Sequence, residues 1–464
     1  MPTWLTVQRA TGALLAAITV LVILREWGLW SWAAAIKPWL VLALVTLLTT
    51  QVPFARKAFV AVAVALSVTL ALTQTGWQGV VIRGLDSAAF IAAFFSALST
   101  LRNVAQTSPA IQKAGRFLSG QKPGRRYAAL TLGGQMFALL LNYGAIQLLG
   151  SLAMANARSE PNAEIRGHRI RRMLLAIQRA FVSTLTWSPL SFAVAVSITV
   201  VPGVSWTQIL LPGLVSSALL AGIGWALDSI FKPRLSVVPV RTEPEGDWWT
   251  MVPLLILLGL LISSVSVLYV LSGVRVVGMV AVVVPVIAVS WLVIQYWQNR
   301  PGRNVAARIR EYVFVELPGY RGELTLLMMA AYIGTVGSAL LVPVIAQLGI
   351  DVAALPTWVI LVGFVWIIPL AGQVGMNPIL AVTLLAPLIP AASELGVSPI
   401  TLVVAITAGW AMSGASSPYT ATTLLIGSFA GISAVRVGLV WNAAYVALCG
   451  TALSVWVLIY GLVL

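Results

Sequence analysis

Long uncharged apolar segments, separated by short polar loops, recur along almost the whole chain. About 20 apolar residues in a helix span the ~30 Å hydrocarbon core of a bilayer. The pattern therefore predicts an all-α polytopic membrane protein with about 11 transmembrane helices. The predicted spans are 11–24, 38–54, 58–75, 86–101, 181–201, 208–231, 250–272, 276–297, 324–348, 399–430 and 436–462. Arg9 before the first could mark a signal peptide, but the spans that follow directly favour a membrane anchor.

The apolar stretch 127–153 does not behave as a simple span. Residues 101–126 carry six basic and no acidic side chains, and residues 154–180 carry six arginines against two glutamates. Both loops are predicted to be cytoplasmic by the positive-inside rule. The 27 uncharged residues between them must then enter and leave on one side, because two crossings need about 40 residues. We expect a re-entrant hairpin with its tip near Asn142, Tyr143 and Gly144. One ordinary span that violates the charge rule is the alternative.

A second re-entrant hairpin is predicted at 355–390, where GQVGMNP (372–378) interrupts the apolar residues. Its flanks carry only Asp351 and Glu394, so both are expected to be external and the hairpin to enter from the opposite face. Eleven crossings then place the N-terminus in the cytoplasm and the C-terminus in the periplasm, for a protein of the cell inner membrane. With this topology the remaining basic positions also lie on the cytoplasmic side, namely Arg56/Lys57, Lys232/Arg234, Arg300–Arg310 and Arg436.

Two polar segments have other expected roles. Between residues 162 and 180, apolar residues recur at near-helical spacing among arginines, which predicts an amphipathic helix on the cytoplasmic surface. Residues 232–249 contain mixed charges and prolines and are predicted to link two halves of the chain.

Composition agrees with the membrane interpretation and excludes several functions. The 464 residues are 59% hydrophobic and 9% charged, with a net charge of +15. The basic residues lie in short loops, so they are topology signals and do not indicate nucleic-acid binding. A single cysteine, Cys449, and a single histidine, His168, rule out an intrachain disulfide and a catalytic or metal-binding cluster of such residues. No charged residue lies near the middle of a predicted span.

An internal repeat points to a site. TLTWSPLSF (184–192) matches SGASSPYTA (413–421), each with Ser-Pro inside a span and hydroxyl groups on both sides. GVSWTQILL from Gly203 matches GISAVRVGL from Gly431, and a predicted hairpin with an asparagine at its tip, Asn142 or Asn377, precedes each break. Because the hairpins enter from opposite faces, the two halves form an inverted repeat.

The breaks have a physical consequence. Proline removes a backbone donor and interrupts a helix, which exposes N–H groups at one new end and carbonyls at the other. Helix N-termini attract anions, and carbonyl and hydroxyl oxygens suit a small cation. Two breaks near the membrane midplane are typical of a transporter site. The alternative is that Ser-Pro only kinks two closely packed spans.

The predicted division of the chain follows from the repeat. Residues 1–85 and 250–323 are predicted to form a scaffold, and 232–249 a linker. The first repeat is 86–231, with its hairpin at 127–153 and its broken helix at 181–201. The second repeat is 324–464, with its hairpin at 355–390 and its broken helix at 399–430.

These motifs resemble the ion transporter superfamily, which includes divalent-anion:sodium symporters and arsenite-efflux permeases. The resemblance covers roughly 86–231 and 324–464 and rests on LNYGAIQLLG (141–150), STLTWSPLSF (183–192), GMNPILAVTLLAP (375–387) and SGASSPYTATTLL (413–425). It implies an anionic substrate, often sodium ions, an elevator-type mechanism and a homodimer formed through the scaffold. The Ser-Asn-Thr type of hairpin tip and the arsenite-type aspartate are absent, and only Asn142 and Asn377 match.

The sequence therefore predicts a secondary transporter of a small carboxylate-like or inorganic anion, with no enzyme activity. The predicted substrate- or ion-binding residues are Asn142, Tyr143, Gly144, Thr186, Ser188, Asn377, Ser413, Ser416, Ser417 and Thr420. Sodium is the expected coupling ion, near Asn142, Thr186, Asn377 and Ser416, and no other cofactor is expected. Trp187, Trp410 and Tyr419 also flank the breaks, as pocket walls or as core. Alternatives are an enzyme acting on a lipid-linked substrate, a channel, and a membrane subunit that needs a soluble partner.

Overall fold

The structure is all-helical in the residues it describes. The computed structural model describes residues 3–29, 33–233, 235–236, 246–274, 276–297, 300–349 and 352–463. Its α-helices are α1 (Thr3–Glu26), α2 (Ala33–Gln51), α3 (Phe54–Thr73), α4 (Trp77–Thr107), α5 (Pro109–Ser119), α6 (Pro123–Leu141), α7 (Tyr143–Arg158), α8 (Ala163–Thr184), α9 (Phe192–Val200), α10 (Trp206–Ile230), α11 (Val252–Ser272), α12 (Val276–Gln295), α13 (Pro301–Glu311), α14 (Leu317–Gly319), α15 (Arg321–Gln347), α16 (Thr357–Gln373), α17 (Pro378–Leu385), α18 (Pro399–Ser416), α19 (Ala421–Ala430) and α20 (Ala443–Leu462). Tyr312–Glu316 and Arg436–Trp441 are π-helical.

The predicted polytopic membrane fold is confirmed. Nine of the described helical segments are long and apolar enough to cross a membrane, and they coincide with nine of the eleven predicted spans. The predicted span 38–54 corresponds to α2, which is apolar but shorter. The predicted span 181–201 is divided between the end of α8 and α9. Most of the predicted linker, residues 234 and 237–245, lies outside the described residues.

The chain forms two compact units. Unit 1 contains Met1–Val104, Leu261–Val352 and Ile379–Ile389, and unit 2 contains Ala105–Leu260, Ala353–Pro378 and Pro390–Leu464. Unit 1 therefore includes most of the predicted scaffold. It also includes residues 86–104 and 324–352, which the sequence groups with the repeats.

Unit 1 buries an ion pair between two of its helices. Asp86, expected at the end of a span, lies inside α4, where its carboxylate is 2.8 Å from the Lys37 ammonium group. Lys37 is only 2% exposed. Such a charge is rarely buried without a partner, and the carboxylate of Asp86 stabilises the Lys37 ammonium group in this position.

The segment before the first break differs from the prediction. The expected surface helix at 162–180 and the expected span from 181 form one helix, α8, which ends at Thr184. Asn162 caps its N-terminus by accepting bonds from the backbone N–H groups of Glu164 and Ile165. From Met173 onward every residue of α8 is buried. A helix over these residues is therefore confirmed, but it does not end at residue 180: it continues into the predicted span, and only its first half has an exposed polar face.

Both predicted hairpins contain a helix, a turn and a second helix. In the first, α6 and α7 are joined by Asn142 alone and fold back, since a Cβ at Gly134 would lie 3.8 Å from a methyl group of Leu149. In the second, α16 packs on α18 and α20 within unit 2, whereas α17 falls almost entirely in unit 1. Re-entry into the membrane stays a prediction for both.

Candidate functional site

The two broken helices pack on each other reciprocally within unit 2. The first is α8 followed by α9, and the second is α18 followed by α19. The segment after the first break, α9, packs on α18, and the segment after the second break, α19, packs on α8. The breaks themselves meet, because a Cβ at Gly414 would lie 3.1 Å from Val182 and 3.4 Å from Leu185. This exchange supports the internal repeat that the sequence predicts.

Neighbouring contacts follow the same pattern. The first arm of each hairpin packs on the first half of the following broken helix, α6 on α8 and α16 on α18. The helical segment that follows each broken helix contacts the backbone of the break through a glycine. A Cβ at Gly213 of α10 would overlap the carbonyl oxygen of Thr186, and one at Gly438 would overlap that of Ser416. Glycine is required where two backbones approach so closely.

Proline explains how the second break is built. Pro418 lacks the N–H that would bond the carbonyl of Gly414 four residues earlier. That carbonyl instead accepts from the hydroxyl of Thr422 and, at 3.4 Å, from the amide of Gln178. The next carbonyl, of Ala415, accepts from the side-chain amide of Asn442 at 3.2 Å. Side chains from three other segments thus satisfy the end of α18.

A buried arginine belongs to this network. Arg179 of α8 is 5% exposed. Its Nε donates to Asn442 Oδ1 at 3.2 Å and its Nη1 to the Tyr127 hydroxyl at 3.1 Å, and its guanidinium lies 4.4 Å from the ring centroid of Tyr445. The sequence places Arg179 in a basic loop just before the predicted span 181–201, whereas α8 carries it into the core of unit 2.

A cavity opens at the first break. The unfilled space in it and at its open mouth is about 320 Å³, and residues from α6, α7, α8, α9, α18 and the break itself line it. The residues lining it are Ala138, Asn142, Tyr143, Phe181, Thr184, Leu185, Ser188, Leu190, Ser191, Phe192 and Trp410. Three predicted site residues, Asn142, Tyr143 and Ser188, are thus brought together, and Trp410 forms part of the wall.

Two helices begin at this cavity. Asn142 caps α7 by accepting from the backbone N–H of Tyr143 at 2.8 Å, and Ser191 caps α9 by accepting from that of Val194 at 3.2 Å. Asn142 has a φ of +49°, a conformation that asparagine tolerates better than most residues. Helix N-termini carry partial positive charge, so the cavity has an environment that favours an anion.

The second break holds two buried oxygens with no hydrogen-bond partner within the described part of the chain, Ser413 Oγ and Gln373 Oε1. They belong to one neighbourhood, because Gln373 donates to Ser416 Oγ at 3.3 Å and a Cβ at Gly372 would lie 2.7 Å from Ser413 Oγ. Buried polar atoms are normally paired. These oxygens are therefore available to a ligand.

The remaining predicted site residues have local structural roles. Thr186 donates to the carbonyl of Gly213 at 2.9 Å, and Ser417 to that of Gly372 at 2.7 Å. Thr420 donates to the carbonyl of Ser417 at 2.9 Å. Asn377 is half-buried, and neither it nor Gly144 is among the residues lining the cavity.

Sequence reasoning missed Gln178, Arg179, Gln373 and Asn442. Gln373 lies in the predicted hairpin tip GQVGMNP, which is a local signal. Gln178 and Arg179 lie 10 and 9 residues before Ser188, and Asn442 lies 11 residues after Gly431, so no local pattern marks these three.

Comparison with known proteins identifies the fold. The chain is similar to the YdaH transporter of Alcanivorax borkumensis, with a TM-score of 0.54 and 17% identity over 87% of this chain and 98% of that one. It is also similar to MtrF of Neisseria gonorrhoeae, with a TM-score of 0.53 and 14% identity over 90% of this chain and 97% of that one. The structure and function of MtrF are described as explaining a class of antimetabolite efflux pumps. No protein-family model and no curated protein matches the sequence.

The protein is therefore a polytopic helical membrane protein that shares its fold with membrane transporters. The resemblance to the ion transporter superfamily is not confirmed.

Proposed function

We propose that the protein is a secondary transporter that moves a small anion across the cell inner membrane. The observation that carries this proposal is the pair of broken helices that pack on each other reciprocally, with a cavity at the first break that polar and apolar side chains line. Broken helices at a repeat interface are how many transporters build a binding site within the membrane. The fold shared with two transporters supports the same conclusion.

The cavity suits an anion with an apolar part. Its polar groups are hydroxyls and an amide from Asn142, Thr184, Ser188 and Ser191, and two helix N-termini add positive potential. The other walls are apolar or aromatic. A small carboxylate with a short aliphatic portion would contact both surfaces.

Sodium is the coupling ion we propose, bound at the second break. Hard cations prefer oxygen ligands. Ser413 Oγ and Gln373 Oε1 supply two, and Ser416 is adjacent. Asn142, which the sequence also assigns to sodium, is less suited, because its side-chain oxygen already caps α7.

The division into units supports an elevator-type mechanism. Both breaks and the cavity belong to unit 2, so one compact body holds the whole substrate site. We propose that unit 2 moves and that unit 1 is the scaffold, through which two copies form a homodimer.

Thermal stability with different salts tests the function. The detergent-purified protein is melted with a panel of carboxylates and inorganic anions, each as the sodium and as the potassium salt. A ligand that binds only the native state stabilises it by about 2.7 kcal/mol at a concentration one hundred times its Kd. We expect one anion class to raise the melting temperature, more in sodium than in potassium. No shift with any anion would contradict the proposal and favour a membrane enzyme or a subunit that needs a soluble partner.

Asn142 provides a test of the anion site. Asn142→Asp keeps the oxygen that caps α7 but puts a negative charge in the cavity, and Asn142→Gly tolerates the positive φ but removes the amide. We expect both variants to melt near the wild-type temperature without ligand and to bind the anion roughly tenfold more weakly or worse, since a buried hydrogen bond is lost. Asn162→Asp, which still caps α8, controls for the added charge. Full anion binding by Asn142→Asp would contradict this assignment.

Ser413 provides a test of the sodium site. Ser413→Ala removes one unpaired buried oxygen, so we expect a roughly tenfold loss of sodium affinity. Stability without sodium should stay near wild type or rise. Ser216→Ala in α10 is the matched control, because its buried hydroxyl only donates to the carbonyl of Pro212. Sodium titrations followed by melting temperature measure the difference. Equal sodium responses in both variants would reject the site.

A further inference from the structure

A second cavity lies in unit 2 near the N-terminal ends of α6 and α8. It encloses about 530 Å³, including the space at its open mouth. Four basic side chains line it, those of Arg126, His168, Arg169 and Arg172. The first break lies at the other end of the same helices. From Arg126 to Asn142 is 16 residues, or roughly 24 Å of helix, so the two cavities are distinct.

Two of the three arginines are neutralised by acids. Arg169 is paired with Glu160 at 2.9 Å. Arg172 makes two bonds to the Asp228 carboxylate, of 2.7 and 2.6 Å. These pairs fix the positions of both guanidinium groups at the cavity but leave them with little net charge.

Arg126 is the exception. It is 8% exposed, and its Nε donates to the backbone carbonyl of Gln121 at 2.7 Å. Within the described ranges no carboxylate pairs with it. Burial, with the nearby charges of Arg169 and Arg172, lowers the pKa of its guanidinium to about 10. The group therefore stays charged at neutral pH, and a buried charge of this kind is expected to have a counter-ion.

The other walls indicate which anion fits. Leu130, Ile165 and Met173 line the same cavity, so its ligand has an apolar part beside its charge. Planar guanidinium groups bind phosphate oxygens in pairs. The arginine-rich loops around the cavity are those that the positive-inside rule assigns to the cytoplasm, where anionic lipids are concentrated.

We propose that this cavity binds a phosphate ester, and that the ligand is the headgroup of an anionic phospholipid, with the phosphate on Arg126 and the start of an acyl chain on the apolar wall. A soluble phosphate ester has the same recognition chemistry, and the experiment separates the two sources.

The test uses the full chain in lipid-free detergent. Its melting temperature is measured with added phosphatidylglycerol, with phosphatidylcholine, and with free glycerol phosphate or inorganic phosphate. Arg126→Gln is compared with Arg125→Gln, a matched control because Arg125 is the exposed neighbour of Arg126. His168→Glu is a second variant, which adds a negative charge at a half-buried position in the cavity wall and removes no buried group.

We expect phosphatidylglycerol to stabilise the wild-type protein and Arg125→Gln more than phosphatidylcholine does. Arg126→Gln and His168→Glu should bind it roughly ten- to a hundredfold more weakly, as the loss of a charged hydrogen bond implies. A response to phosphatidylglycerol alone identifies a lipid site, and an equal response to glycerol phosphate identifies a soluble ester. No preference for phosphatidylglycerol or free phosphate, or equal losses in Arg125→Gln and Arg126→Gln, would overturn the proposal.

Discussion

Replacing Gly213 or Gly438 with alanine is expected to disrupt unit 2 at the helix breaks. A methyl group at Gly213 would overlap the carbonyl oxygen of Thr186 and lie 3.0 Å from Trp187 Cβ. At Gly438 it would overlap the carbonyl oxygen of Ser416 and lie 2.8 Å from its carbonyl carbon. The atoms in the way at both positions include backbone, which cannot turn aside as a flexible side chain can. Overpacking costs about 1–3 kcal/mol even where side chains can adjust, so we expect at least the upper end of that range.

Gly222→Ala is the matched control for both variants. Gly222 lies on α10, the same helix as Gly213, and a Cβ there would meet nothing within 4 Å. Because alanine favours a helix over glycine by about 1 kcal/mol, this variant should be as stable as wild type or more so. Melting temperature and retention of the sodium-dependent anion response are the two measurements. Wild-type values for Gly213→Ala and Gly438→Ala would show that the last helix of each repeat does not pack on its break as described.

The sequence predicts the spans and the breaks because both depend on local signals. Charge-free apolar length gives the helices, and Ser-Pro within a span gives the two interruptions. The first hairpin is predicted from the basic loops on either side, and its turn falls at Asn142. Nine predicted spans therefore coincide with helices that could cross a membrane.

Interactions across the repeat are not predictable in this way. Gln178 and Asn442 are joined by a bond of 2.9 Å although 264 positions separate them. Arg179 is read from the sequence as the last residue of a basic loop, since nothing local shows that α8 carries it into the core. The role of most hydroxyl groups in the stretch SGASSPYTATT (413–423) is likewise not predictable from the sequence. Thr420, Thr422 and Thr423 bond carbonyls at the break, and of the serines in this stretch only Ser413 has an oxygen left unpaired.

Asn442→Leu is expected to cause the largest loss of stability among polar substitutions in unit 2. Asn442 is fully buried and joins the two breaks. It accepts from Arg179 and donates to Gln178 Oε1, the carbonyl of Ala415 and, at 3.3 Å, that of Val437. Leucine has a similar volume but leaves Arg179 Nε and Gln178 Oε1 without this partner. The carbonyls of Ala415 and Val437 each keep one weaker or backbone donor, Gln178 Nε2 at 3.4 Å and the backbone N–H of residue 442 at 3.1 Å. Each buried polar group left unpaired costs about 1–3 kcal/mol, so we expect a loss of roughly 3–5 kcal/mol.

Two further variants separate the charge of Arg179 from the capping of α18. Asn442→Asp keeps an acceptor for the Arg179 guanidinium but loses the donor to the carbonyl of Ala415, so we expect an intermediate melting temperature.

In the double variant Arg179→Met, Asn442→Leu, the buried charge and its partner are both removed. Replacing a complete buried polar pair with apolar residues is often neutral, so we expect much of the lost stability to return. The anion response should not return with it, because the carbonyl of Ala415 has lost the shorter of its two amide donors and the Asn442 side chain no longer joins the two breaks. A double variant as unstable as Asn442→Leu alone would instead show that the cost comes from the end of α18 and not from the unpaired charge of Arg179.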